Sequence, residues 1–449
     1  MEQWLYTKQF VPQDETYDVV VIGGGSAGIC AAIAASRNGM HTLLVENTGW
    51  LGGIGTTAGM VEFGPIKKGS LRVVGGIPYE LMSRMKQTGW AQLKDESEGL
   101  YFAPESFAHT AMKMCRKAGV ELLLHARFID SFTNGKKITG VLVDTKEGTK
   151  LIIAKLFIDC TGDGDVFFKA GVPYSFGRKE DGGVQPMTLV FFVNNVNYQM
   201  FLDEVLKCTG GEPDPYFVKL VAKAKADGKF HIPITRPGST GPVPRYGRPY
   251  DLTSCEVFIN GTNIIGKSGI NAKELTESEM VARKQIYEMY EFLKAYVPGF
   301  KNCYISYVPN EIGVRETRRI KGLYTLTRDD LLQCRCFEDR IAIGFNMIDI
   351  HQVAGEDFDL THLKDGEYYT VPYRCLVCNE YINLLTAGRC ISVSHEALGA
   401  VRVMVNTMPI AQAAGTAAAL AVKYSSDVQV IDVGELQDIL RKAGAILEH

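Results

Sequence analysis

Residues 17–39 read YDVVVIGGGSAGICAAIAASRNG. The apolar run at 17–22 has the composition of a strand buried on both faces. Gly23-x-Gly25-x-x-Gly28 follows it, and the small residues after that predict a helix ending at Gly39, a left-handed cap. The next strand-like run, HTLLVE, closes on Glu46, 18 residues beyond Gly28. Glycine triplets of this spacing arise by chance. The strand before, the helix after and the acid ending the next strand give this one its meaning. In a βαβ unit the first glycine makes the tight turn, the second admits a pyrophosphate and the third lets helix pack on strand. The acid accepts from ribose hydroxyls, and an acid rather than an arginine there disfavours a 2′-phosphate. Helix N-terminal N–H groups and the macrodipole hold the diphosphate. The stretch predicts an adenine dinucleotide, FAD or NAD.

LGGIGTTAG, residues 51–59, discriminates between the two. Glycine inside a structured segment costs about 0.5–1 kcal/mol relative to alanine, so such bareness implies that something approaches the backbone. A flat tricyclic ring meets that description, and the stretch predicts FAD.

The rest of the composition sets bounds. A chain of 449 residues holds two or more core-forming units. Apolar residues at 46% and charged residues at 22% are ordinary for a globular protein. A net charge of −3 without a basic block argues against nucleic acid and anionic membrane. The opening MEQWLYTKQFVPQDET lacks an apolar core with a cleavage site, so no secretion signal is expected. AQAAGTAAALAV (411–422) is too short and alanine-rich to span a bilayer. Eleven cysteines in no repeating framework predict reduced thiols and a cytoplasmic location.

Along the chain, helices are expected near 77–88 and 104–118, then strands in ELLLHARFIDSF, KITGVLVDT and KLIIAKLFIDC. MTLVFFVNNV reads as a strand, and 231–250 is rich in proline and glycine and therefore irregular. An amphipathic helix is predicted over 277–297, with Met280, Ile286, Met289, Tyr290, Leu293 and Val297 on its apolar face. RIAIGF and YINLLTAGR return to buried-strand composition, and a helix follows Pro409, with Asn406 and Thr407 as capping residues.

With YDVVVIGGGSAGICAAIAASRNG and LGGIGTTAG, five later stretches carry a resemblance. They are LFIDCTGDGDVFFKAGVPY, QPMTL, IGVRETRRIKGLYTLT, VPYRCLV and NLLTAGRCISVSHEALGAVRVMVNTMPIAQAAGTAAALA. The chain resembles the FAD-dependent oxidoreductases related to the flavoproteins of succinate dehydrogenase and fumarate reductase. The resemblance implies an α/β fold: a Rossmann-like FAD-binding domain of glutathione-reductase type, interrupted by an α+β cap. The expected division is 1–175 and 336–449 for the FAD-binding domain and 176–335 for the cap, which bears the substrate site. Implied cofactor contacts are Gly23, Gly25, Ser26, Ala27 and Gly28 at the first turn, then Glu46, Asn47, Gly52, Gly53, Thr56 and Thr57. Ala126, Arg127, Thr161, Gly162 and Asp163 follow, with Gly388, Arg389, Asn406, Thr407 and Met408 from the last third. The helix beginning at NTMP is expected to aim its positive end at the flavin.

Some of these relatives bind the flavin covalently through a histidine in the segment matching GIGTTAG. Here Thr56 and Thr57 stand there, which predicts non-covalent FAD. The relatives also carry an acid, a ribityl ligand, where this chain has Arg389.

The resemblance further suggests that Arg402 and His395 bind a substrate carboxylate. The three arginines of IGVRETRR either form salt bridges to the core or recognise an anion, with Arg315 the candidate for the latter. His351 reads equally as a proton-transfer residue or a loop histidine. Cys375-x-x-Cys378 and Cys334-x-Cys336 are poorly spaced for a zinc site, and no metal is expected. The reading is an FAD enzyme passing a hydride between flavin N5 and a small polar, anionic organic substrate, with an unidentified electron partner. The alternatives are a flavin-dependent monooxygenase or halogenase, or a flavin-binding redox sensor without turnover. Acid or heat should release free FAD into the supernatant; colour remaining with the precipitated polypeptide would demonstrate a covalent link instead.

Overall fold

The computed structural model of the chain describes residues 11–244, 251–353 and 358–449. The first ten residues of the stretch read for a targeting signal, and the last six of 231–250, lie outside them. At the centre is the strand Val11–Ile22, with Val19, Val20 and Val21 fully buried. It pairs in parallel with Thr42–Val45 on one side and with Gly148–Asp159 on the other. Glu121–Leu123 extends the parallel edge beyond Thr42–Val45. Gly148–Asp159 is long enough to serve two neighbours on one flank. Its first half pairs antiparallel with Lys137–Thr145, and its last residues pair in parallel with Leu384–Thr386.

The run ELLLHARFIDSF forms two strands, Glu121–Leu123 and Arg127–Asn134, rather than one. His125 between them has a left-handed φ of 55°, which turns the chain from the parallel edge to the antiparallel meander. Both faces of the sheet are covered, as a parallel sheet requires. Val19 and Val21 pack beneath helices, while Val20 and Ile22 join a second core with Val141, Val143, Phe157 and Leu384.

The helices on the first face are Ser26–Arg37 and Met404–Tyr424. They meet through small residues. A Cβ on Gly415 would overlap the Ala31 carbonyl oxygen and lie 2.9 Å from the Ala34 Cβ. The later helix starts at Met404 with Val403 as its N-cap, so Asn406 and Thr407 occupy its first turn instead of capping it, and Pro409 lies inside. Asn406 and Thr407 lie within the helix because the Val403 carbonyl accepts from the N–H groups of both.

A separate apolar core extends from Met187 to Ile312. It lies around a four-stranded antiparallel sheet, in the order Ser239–Pro242, Cys255–Asn260, Phe191–Val196, Tyr304–Tyr307. Helices Tyr198–Thr209, Pro213–Ala226 and Ala272–Tyr296 belong to this unit. The last begins five residues before the expected 277 because the Asn271 side chain accepts from the Lys273 and Glu274 N–H groups. Met280 is 63% exposed, whereas Phe292, not among the residues expected on the apolar face, is buried. Leu326 and Leu331 pack in the core of the dinucleotide-binding part, and Arg318–Ile320 pairs with Tyr174–Phe176 to join the two parts. Among the described residues no helix is long and apolar enough to cross a membrane.

Gly415→Ala should lower unfolding stability by about 1–3 kcal/mol through overpacking. Denaturant melts would show it; unchanged stability would mean that the two helices can move apart freely.

Candidate active site

A cleft of about 750 Å³ runs between the glycine turn, the bare loop, the CTGDGD loop, the start of Met404–Tyr424 and a cap segment at 311–315. The three fingerprint glycines have different surroundings. A Cβ on Gly23, whose φ is +102°, would overlap the Cys160 carbonyl oxygen, and one on Gly28 would overlap the Gly23 oxygen. Those two serve chain packing. A Cβ on Gly25 would meet only the Gly53 Cα, at 3.9 Å, and Gly25 lines the cleft. The open cradle therefore lies at the second glycine, beside Ser26 and Ala27 in the first turn of the helix, whose N–H groups have no intrahelical partners.

Glu46 also lines the cleft. Its Oε2 accepts from the Gly24 N–H at 2.7 Å and its Oε1 from the Thr48 N–H at 2.7 Å. Burial raises its pKa, against the pull of these bonds. Each oxygen keeps a further lone pair for an incoming hydroxyl. Asn47, Ala126 and Arg127 lie on the same wall.

The bare loop gives a different account of its glycines from the one expected. A Cβ on Gly52 would lie 2.6 Å from Thr56 Cγ2, one on Gly53 3.0 Å from Gly25 Cα and one on Gly55 2.8 Å from Phe107. A Cβ on Gly59 would overlap the Pro309 ring. Side chains are missing largely because the loop is wedged between protein neighbours. Gly53, Ile54, Thr57 and Ala58 line the cleft, whereas Gly52 and Thr56 do not. Thr56 and Thr57 both donate to the Gly53 carbonyl, which folds the loop into a tight turn.

Asp159 organises the opposite wall. Its carboxylate accepts from the Thr161 N–H and hydroxyl and from the Val166 and Phe167 N–H groups. This presents Thr161, Gly162 and Asp163 to the cleft. Arg389 lies across from them, donating to Asp163 Oδ1 at 2.8 Å and to Thr317 Oγ1 at 3.0 Å. Gly388 and Thr407 complete this region. Asn406 and Met408 do not line the cleft. Asn406 donates to Tyr369 Oη and the Ala400 carbonyl, both at 2.8 Å, and Met408 is fully buried.

The structure separates the candidate substrate residues. Arg315 and Arg402 both line the cleft. Arg315 donates through Nη1 to the Pro186 carbonyl at 2.7 Å and to Thr188 Oγ1 at 2.6 Å. Burial, reinforced by repulsion from Arg402, pushes its pKa down to about 9. Arg402 donates through Nη2 to the Asp349 carbonyl oxygen at 3.2 Å and lies 3.4 Å from Asp349 Oδ2. Its Nε is buried with no partner.

His395 does not line the cleft. It begins the short helix His395–Val401, which Arg402 ends, so about 10 Å of helix separates the two. Its Nδ1 lies 2.8–2.9 Å from the Glu316 carboxylate, which also binds Arg319 and accepts from the Gln185 N–H at 3.1 Å. Arg318 binds Asp165 and caps the Phe168 ring. Of the three arginines, two are thus internal salt-bridge residues and Arg315 alone lines the cleft. Asp349 went unremarked in the sequence, where one acid in a strand has no local signal. Cys375 and Cys378 are buried free thiols, and burial raises the pKa of both, that of Cys378 to about 11.

Residues 18–440 match the sequence pattern described as FAD dependent oxidoreductase. The chain belongs to that family. FAD is its cofactor. Among curated proteins it is similar to the tRNA uridine 5-carboxymethylaminomethyl modification enzyme MnmG of Treponema pallidum, 47% identical over 55 residues. That match covers 12% of this chain and only 8% of the relative. Among solved structures it is similar to p-nitrophenol 4-monooxygenase PnpA from Pseudomonas putida DLL-E4. There the TM-score is 0.47 and identity 13%, over 95% of this chain and 85% of that one. A geranylgeranyl bacteriochlorophyll reductase-like protein from Thermoplasma acidophilum gives a TM-score of 0.45 and 13% identity, over 96% and 84%.

The residues present fit FAD. The cradle at Gly25 suits its pyrophosphate, and the Glu46 carboxylate suits its ribose. Gly25→Val should leave the fold intact, since a Cβ there comes no nearer than 3.9 Å to the Gly53 Cα, yet purify without FAD. A soluble, fully loaded variant would mean that the phosphates lie elsewhere.

Proposed function

We propose that this oxidoreductase acts on a small anionic organic molecule whose charged group is held by Arg315 and Arg402. Bound FAD supplies the acceptor or donor of a hydride at its N5 atom. The chain supplies binding, orientation and exclusion of water. The observation that carries the reading is the pair of buried guanidinium groups on the cleft wall, one with its pKa depressed toward 9. Buried positive charge held at such a cost is relieved by an anion. The guanidinium fork of Arg402, anchored at one end on Asp349, keeps its orientation before a ligand arrives. The N-terminus of Met404–Tyr424 adds partial positive charge to the same cleft. Residues 311–315 bring the cap onto the cleft and shield the reacting carbon from solvent.

Anaerobic bleaching of the flavin by one member of a panel of organic acids identifies a substrate that donates hydride, whereas a flavin bleached only by NADH or NADPH and then yielding an oxygenated acid when oxygen is admitted would show oxygen insertion. With that substrate, Arg402→Lys should keep FAD and fold but lose kcat/KM. Charge-assisted hydrogen bonds are worth roughly 1.5–3 kcal/mol each, so a loss of about ten- to a hundredfold per bond is expected. Unchanged catalysis would remove Arg402 from the substrate site.

A further inference from the structure

Asp349 lies on the strand Ile348–His351, directly behind the two cleft arginines. Its Oδ2 is 3.4 Å from Arg402 Nη2 and 3.6 Å from His351 Nε2, and Arg315 acts on it electrostatically. Against the opposing effect of burial, the hydrogen bond from His351 and the charges of Arg402 and Arg315 hold its carboxyl well below the usual range. His351 adds no charge, because burial and then repulsion from Arg315 push its pKa down to about 3. Of the other charged groups nearby, Glu316 is matched by Arg319 and His395 and Arg389 is paired with Asp163, while Glu311, also on the cleft wall, is repelled by Glu46 and adds to the repulsion of a second anionic group.

Two guanidinium charges and one carboxylate leave a single net positive charge at this end of the cleft. Building on the reading that Arg315 and Arg402 hold the anion, we propose that Asp349 makes the site selective for substrates carrying one negative charge. A second carboxylate brought beside this group of charges is repelled by Asp349, and like charges brought together out of water are strongly disfavoured. Asp349 thus has two roles in one position. It aims Arg402 and cancels half of the positive charge.

Calorimetric titration of the FAD-loaded protein with matched pairs tests this: propionate and malonate, butyrate and succinate, benzoate and terephthalate. Each monoanion should bind at least about tenfold more tightly than its dianion partner. Asp349→Asn, which keeps a side-chain oxygen for Arg402, should shift that ratio toward the dianion by about tenfold or more. If the wild type prefers dianions, or if the variant leaves the ratio unchanged, the charge-selection proposal fails while the anion site stands. If no probe binds the wild type, the anion site and its selectivity fall together. The wild-type ratios decide the matter even if the variant does not fold.

Discussion

Close contact between two helices of alanine and glycine governs this structure. Ser26–Arg37 and Met404–Tyr424 come from opposite ends of the chain and touch backbone to backbone where Gly415 meets Ala31. That approach brings both helix N-termini to one cleft, where the Ser26 and Thr407 hydroxyls lie 3.5 Å apart across 381 residues of sequence. Any larger residue at the contact would separate the two ends and widen the cleft they share. The partial charges at both N-termini favour anionic groups, and the dinucleotide pyrophosphate and the proposed substrate are both anionic.

Several of the charges around the cleft are arranged in matched sets. Glu316 neutralises Arg319 and holds His395, Asp163 neutralises Arg389, and Asp165 pairs with Arg318. Such pairs offset the cost of burying ions without leaving charge for a ligand. Arg315 departs from this pattern: it is bonded to a carbonyl and a hydroxyl, neither of which cancels its charge. Asp349 compensates Arg402 from behind, which leaves one positive charge facing the cleft.

Several expectations failed for reasons that lie in packing. The bareness of LGGIGTTAG was assigned to a ring against the backbone, but most of its glycines are required by Thr56, Phe107, Gly25 and Pro309. Close approach by a ligand and close approach by another loop demand the same residue, so composition does not distinguish them. Asn406 resembled a helix cap, yet its side chain turns inward to Tyr369 and Ala400. His395 and Arg402 resembled a pair, and a single helix directs them to opposite ends.

What the sequence by itself determined was local: the strand, glycine turn and helix of residues 17–39, the acid at 46, and the helices near 77–88 and 104–118. Those features depend on residues within a few positions of one another, through backbone sterics and hydrogen bonds that short spacing encodes. Only the tertiary structure decided which polar residues face the cleft. Arg315, Arg318 and Arg319 are nearly indistinguishable in sequence. Their roles diverge because Asp165, from a distant segment, reaches Arg318, and the neighbouring Glu316, fixed by the distant Gln185 and His395, turns onto Arg319, while no carboxylate bonds Arg315. That choice follows from long-range contacts, which residue spacing along the chain does not encode.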